Sequence, residues 1–234
     1  MENSSDLKFE LYQAFYYDDL KEIMQVCFND LKGQNYSTFE EIEIMSSLYP
    51  RGQIICTYKG KLIGANLSRI VPFDRYKENH TQLMCSDQNL FIDDAINGDS
   101  VYGLDVFVHP EYRYLKVGKT IVEKFIQNVY EDNFKCMMGI SRIPDYIQYK
   151  NELTCEEYVQ KILKGELVDK VLNFHLKCDA QIININPNFN PDDEASDGYG
   201  VLLSYPNDNY NPQKEINKGE MIRTILKEEL VLIN

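Results

Sequence analysis

Val106-Phe107-Val108-His109-Pro110-Glu111-Tyr112-Arg113-Tyr114-Leu115-Lys116-Val117-Gly118-Lys119-Thr120 is the stretch that decides how this chain is read. An apolar run that stops at His-Pro has the look of a buried strand, and the basic turn after it opens a helix. A helix start carries free N–H groups and the positive end of the helix dipole, so this joint has the form of a cradle for an anion. Val117, Ile121, Val122, Phe125, Ile126 and Val129 share one face of that helix, while Glu123, Lys124, Gln127 and Asn128 take the other. That is the pattern of a helix lying on a sheet. Gly118-Lys119-Thr120 also resembles the end of a P-loop, but the earlier glycine that motif requires is replaced by Arg113, which rejects it.

The run Val-x-Val-x-Pro-x-Tyr-Arg-x-x-Lys-Val-Gly resembles the acyl-CoA-binding motif of the GNAT acyltransferases, (Arg/Gln)-x-x-Gly-x-(Gly/Ala). Arg113 and Gly118 match its first and last positions, whereas Lys116 stands where the family has its first glycine. The likeness runs through most of the chain and is closest from Val101 to Pro206. Tyr102-Gly103-Leu104-Asp105-Val106, Ser141-Arg142-Ile143-Pro144-Asp145-Tyr146, Val171-Leu172-Asn173-Phe174-His175-Leu176 and Asp192-Asp193-Glu194-Ala195-Ser196-Asp197-Gly198-Tyr199 resemble GNAT domains fused to carbon–nitrogen hydrolases in some bacterial proteins. No hydrolase domain is expected here.

The resemblance implies the GNAT N-acyltransferase fold: an α/β (α+β) domain whose mixed, mostly antiparallel sheet contains two splayed parallel strands and is flanked by helices. It further implies acetyl-CoA held by the main chain of Val106, Phe107 and Val108 and by the turn Arg113, Tyr114, Leu115, Lys116, Val117, Gly118, Lys119 and Thr120. An N–H near Val106 or Phe107 would hold the thioester oxygen, and a primary amine would attack directly.

Bulk properties suit one domain over 1–234. The length is enough for one sizeable core, there is no apolar run long enough to span a bilayer, and the first residues are polar rather than leader-like. Six cysteines without a Cys-x-x-Cys pair read as reduced thiols in a cytoplasmic protein. A net charge of −13 argues against nucleic acid as a partner, so an anionic cosubstrate needs local positive charge. Arg113, Lys116, Lys119 and Lys124 would supply it. No membrane partner is expected, and the chain would act as a monomer or homodimer.

A first strand near Lys8–Tyr12 precedes a helix over Asp18–Leu31. A second helix over Thr38–Leu48 opens on a Thr38/Glu41 capping box. The runs Gln53–Tyr58 and Leu62–Val71 form a hairpin around Lys59-Gly60-Lys61. An aperiodic excursion of about 72–100, containing a short helix, leads to the central strand, and Lys135–Ser141 is its parallel neighbour. A second insertion, about 143–170, carries a capping box at Thr154/Glu157. Helix Val168–Leu176, strands Ala180–Asn184 and Tyr199–Tyr205, and a C-terminal helix of about 214–231 complete the chain.

Acyl transfer from a thioester needs a neutral amine, a donor for the oxyanion and a proton for the thiolate. Many GNAT enzymes carry a tyrosine four residues before a Gly-Phe pair. Here that pair is Asp179-Ala180, which puts His175 at the tyrosine position, either as a general acid of pKa near ~6.5 or, as an equal reading because both residues of the pattern are replaced, as a helix residue with a hydrogen-bonded ring. Asp105 occupies a strand position where family members place an acidic or polar residue towards the amine. Alternation puts Asp105, Phe107 and His109 on one side and Leu104, Val106 and Val108 on the other. With an ordinary carboxylate pKa, Asp105 is a weak base, and anchoring the amine by charge is an equal reading. Arg142 and Tyr146 are expected to line the acceptor pocket, Arg142 to grip a carboxylate or else to pair with a surface acid such as Asp145. The acidic turn 192–198 fails the ligand pattern of a calcium loop and reads as a solvated hairpin, and the three histidines lack ligand spacing, so no metal is expected. Lys116 and the two replacements before Ala180 leave a second reading open, a non-catalytic acyl-CoA-binding or sensing module.

Overall fold

The computed structural model describes residues 6–31 and 36–225. Its elements are β1 (Leu7–Leu11), α1 (Tyr17–Cys27), α2 (Phe39–Leu48), β2 (Ile54–Tyr58), β3 (Lys61–Val71), α3 (Phe73–Tyr76), α4 (Gln82–Ser86), α5 (Phe91–Asn97), β4 (Ser100–Val108), α6 (Val117–Glu131), β5 (Cys136–Ser141), α7 (Cys155–Leu163), α8 (Lys170–Leu176), β6 (Gln181–Asn186) and β7 (Gly200–Pro206). Among the described residues the strands form one sheet in the order β1-β2-β3-β4-β5-β7-β6. Only the central β4–β5 pair is parallel; its ladder joins Val101 to Met137, Tyr102 to Met138 and Gly103 to Gly139.

Local signals set many of these boundaries. Thr38 and Glu41 close the α2 capping box, and Thr154 and Glu157 close that of α7. Helix α7 stops at Leu163, with Gly165 just beyond in the left-handed conformation (φ +73°), as a helix C-terminus favours. The hairpin turn puts Lys59 and Gly60 at positive φ. The apolar face of α6 is buried through Val117, Ile121, Val122, Phe125 and Val129.

The main core lies between the sheet and α1, α2, α5 and α6 and includes Leu20, Ile42, Ile55, Leu67, Phe91, Val122 and Phe125. A second core forms where the 143–170 insertion meets α8 and β7, from Ile143, Tyr146, Tyr158, Val159, Ile162, Leu172, Val201 and Leu203. The 72–100 excursion holds three short helices rather than one, pinned to β3 by a buried charge network. Arg69 pairs with Asp94, and Asp94 also accepts from the Tyr76 hydroxyl and the Arg75 guanidinium. All six cysteines are free thiols. Among the described residues no helix is long and apolar enough to cross a membrane.

The chain departs further from its sequence-based expectation at α1, at the start of α8, which is Lys170 rather than Val168, and in the C-terminal segment. Helix α1 ends at Cys27 rather than Leu31. Residues 214–219 are not helical, helix appears only from residue 220, and residues 226–231 of the expected helix lie outside the described residues. Tertiary hydrogen bonds outweigh propensity there: Asn217 N–H donates to Asp132 O, Gly219 N–H to Leu48 O, and the Lys218 ammonium to the Ala95 and Ile96 carbonyls at the end of α5. Gly219 is required by this close approach, because a Cβ would run into the Ser47 and Leu48 carbonyl oxygens.

Candidate active site

The site is built where β4 and β5 part. Their pairing ends at Gly103 and Gly139, and this last step tolerates no side chain, since a Cβ on Gly139 would stand 2.9 Å from Gly103 O. Beyond it, Asp105–Val108 pair only with β3. A bulge marks the same point: Ser68 pairs with Gly103 and Leu67 with Asp105, which leaves Leu104 extra on β4. Past the bulge the expected alternation holds. Phe107 packs edge-on against Phe28 on the α1 side, while Val106 and Val108 pack with Val117 and Ile121 of α6.

The strand then delivers the chain to the turn. His109 N–H donates to Ile63 O, and the His109 ring accepts from Glu111 N–H to start a 3-10 turn over Pro110–Leu115. Lys116 follows at φ 56°, ψ 24°, so the lysine adopts the left-handed bend that a glycine would adopt freely, and α6 begins at Val117. The α6 N-terminus has no side-chain cap and no acid in its first turn. Its leading N–H groups therefore point outward without intrahelical partners. Lys116 and Lys119 are exposed beside them, and Lys119 is 3.6 Å from Glu123. Arg113 Nε donates to Val108 O, which also accepts the Cys27 thiol. Lys124 points elsewhere, with its ammonium over the Phe9 ring of β1.

A cavity of about 180 Å³ fills the wedge, lined by β4 from Tyr102 to Val106, Gly139 and Ile140 of β5, Val171 and His175 of α8, Leu203 and Tyr205 of β7, and Phe28, Cys85 and Arg142 at its margins. Asp105 and His175 thus share one cleft with the end of the splayed strand. Burial pushes the Asp105 carboxyl up to about 6 and the His175 imidazole down to about 4. His175 Nδ1 lies 2.8 Å from the Tyr205 hydroxyl, whose own pKa burial raises.

Four expectations need correction. His175 is neutral near pH 7, so it cannot supply a proton as an imidazolium of ordinary pKa. Arg142 does line the cleft, but its guanidinium is consumed: Nε and Nη2 donate to Asp193 at 2.7 Å each, and Nη2 also reaches Asp30 at 2.9 Å. It has no free fork for a carboxylate, and Asp145 instead accepts from Lys170 N–H. Tyr146 is outside the cleft; its ring packs with Tyr158 and Tyr199 in the second core and its hydroxyl donates to Leu153 O. The acidic turn is not simply solvated, because Asp193 is buried and held below the usual carboxylate range by Arg142 and Ser196 despite its burial.

Tyr205 and Cys85 carry no site signal in the sequence, and Asp193 stands there only as part of the acidic turn. Each is an ordinary residue of its segment, and only the topology brings it to the cleft.

No family model matches the chain. It is 34% identical over 166 residues to the probable hydrolase YhcX of Bacillus subtilis, covering 71% of this chain and 32% of the relative. It thus spans about a third of that protein's length. It is 29% identical over 159 residues to the uncharacterized N-acetyltransferase YkwB of Bacillus subtilis, covering 68% of this chain and 70% of YkwB. Among solved structures, the loading GNATL domain of CurA from Lyngbya majuscula superposes with a TM-score of 0.71 at 23% identity, over 86% of this chain and 97% of that one. The GphF GNAT-like decarboxylase with isobutyryl-CoA gives 0.69 at 23%, over 85% and 98%. The chain has the GNAT fold.

Proposed function

We propose that this protein is an acyltransferase that moves an acetyl group from acetyl-CoA to a primary amine by direct attack. The observation that carries the reading is that β4, whose ladder with β5 ends at Gly103, leads through the turn 109–116 directly to the uncapped, acid-free N-terminus of α6. The fold neighbour with bound isobutyryl-CoA and the likeness to an N-acetyltransferase support a CoA thioester as donor.

Acetyl-CoA, when bound, supplies an activated acyl thioester. The first N–H groups of α6 would meet its diphosphate, with Arg113, Lys116 and Lys119 adding charge against the acidic whole. The unpaired edge of β4 offers main-chain groups to the pantetheine, and an N–H at Val106 or Phe107 would hold the thioester oxygen. Asp105 faces the α1 side by alternation with Phe107, where an acceptor would stand. With its pKa raised to about 6 it is a better match to neutral-pH proton acceptance than an ordinary aspartate. The Arg142 charge is offset by Asp193 and Asp30, so the acceptor side offers no net attraction for an anion. A reducing cytoplasm suits six free thiols.

The test is a screen of amine pools with acetyl-CoA that reads thiol release and product mass together. Thiol release matched to an acetylated amine is expected. Binding of acetyl-CoA without thiol release for any amine would make the protein a sensor. A parallel arm with malonyl-CoA that released carbon dioxide without an acceptor would make it a decarboxylase.

A further inference from the structure

The contact between α8 and β7 at the cleft places a phenol against the imidazole that occupies the family's tyrosine position. Tyr205 is 3% exposed, and among the described residues its hydroxyl has His175 Nδ1, at 2.8 Å, as hydrogen-bond partner. His175 Nε2 has no hydrogen-bond partner among the described residues, although its ring lines the wedge. A buried phenol proton with one acceptor in reach donates to it, since leaving it unmade costs more than the bond gains. Nδ1 is then the accepting nitrogen, and the single proton of the neutral ring resides on Nε2.

We infer that Tyr205 is a positioning residue that locks neutral His175 in its Nε2–H form, so that this N–H serves as a hydrogen-bond donor to the thioester group in the wedge. The inference rests on the acyl-CoA reading. The ring transfers no proton: its N–H stabilises negative charge as it develops on the thioester and keeps its hydrogen throughout. A neutral imidazole is the right species for this, because an N–H that never ionises gives the same donor across the working pH range.

The other ionisable groups of the cleft are Tyr102 and Asp105 on β4, Cys85 on α4, Arg142 after β5, and Asp193 and Tyr199 before β7. Arg142 and Asp193 neutralise each other, and burial alone accounts for the low basicity of His175. The Tyr205 hydroxyl on β7 thus fixes which nitrogen of His175 carries the proton.

Nitrogen-15 NMR of the uniformly labelled, ligand-free protein tests it. The chain has three histidines, and a His175→Gln variant assigns the signal. The expected ring shows a protonated Nε2 and a bare Nδ1 unchanged from pH 5.5 to 8, and the Nε2 proton shifts when acetyl-CoA is added. In Tyr205→Phe the same ring becomes a mixture of tautomers, and kcat falls about tenfold while KM for acetyl-CoA stays within about twofold, as for loss of a transition-state interaction. A proton on Nδ1 in the wild type overturns the inference, and so does an Nε2 signal unmoved by acetyl-CoA that calorimetry shows to be bound. No binding heat with acetyl-CoA overturns the functional reading and the donor role together. That case is separable, because the tautomer is read without ligand.

Discussion

Lys116→Gly should make the protein more stable and a poorer binder at once. Lys116 is exposed and sits between the 3-10 turn and α6 at φ 56°, ψ 24°, where it has no side-chain cap to make. A left-handed backbone costs a residue with a Cβ about 1–2 kcal/mol. Glycine removes that strain but gives the unfolded chain about 0.4–1 kcal/mol of extra freedom. The difference leaves a gain of about 0.5–1 kcal/mol, or roughly 1–4 °C in Tm for a chain of this size. Binding moves the other way. A lysine charge about 4 Å from a phosphate in water is worth about 1 kcal/mol, so acetyl-CoA should bind about fivefold more weakly at low salt. At 1 M salt, where the Debye length is about 3 Å, the two proteins should converge. Thermal melts with calorimetry at two ionic strengths measure both. An unchanged or lower Tm would refute the strain argument, and equal affinity at low salt would refute the contact with the diphosphate.

Gly118→Ala should fold and bind acetyl-CoA within about twofold, since its Cβ would meet the Phe174 ring and Val108 at an ordinary 3.6 Å, whereas Gly118→Glu brings a carboxylate to the helix start and should lose binding by more than about tenfold. Unchanged affinity in the glutamate variant would remove this turn from the site. For Asp105 the sign follows from its raised pKa: the unfolded chain gives up the proton first, so the ionised carboxylate weakens the fold as pH climbs from about 4 through about 6. Asp105→Asn should therefore be more stable than wild type at pH 8, by up to about 3 kcal/mol, equal to it at pH 4, and slowed about a hundredfold or more in turnover; urea titrations at the two pH values and an initial-rate assay decide. Arg142→Ala strands buried Asp193 without its guanidinium and should cost about 2–4 kcal/mol, below the full cost of a deeply buried pair because Arg142 is partly exposed. A urea midpoint unchanged from wild type would mean that the pair carries no weight.

What was legible in the sequence was what neighbours in the chain decide. The strand–turn–helix joint, the apolar face of α6, both capping boxes and the hairpin at Gly60 depend on residues a few places apart, and all appear as read. The splay of β4 from β5 came from resemblance, because periodicity within one strand carries no trace of where its partner leaves. The Arg142 partners lie 51 and 112 residues away, and Tyr205 lies 30 residues from His175. No spacing rule reaches that far. Tyr146 differs for the same reason: it lies near the end of β5 in sequence, but a turn at residues 146–148 sends its ring into the second core. The C-terminal segment shows the opposite failure, where a good helical pattern yields to hydrogen bonds that Lys218 and Asn217 donate to carbonyls of α5 and Asp132.

The second core has a consequence for how such a cleft is tuned. Helix α8 presents His175 on one side and buries Leu172 among Tyr158, Val159 and Ile162 of the inserted segment on the other. The insertion is therefore a buttress: it supports the α8 wall of the cleft from behind and contributes no residue to the cavity lining. Because a close-packed interior feels the gain or loss of a single methylene, exchanges in that hidden layer reach the cleft through the set of α8.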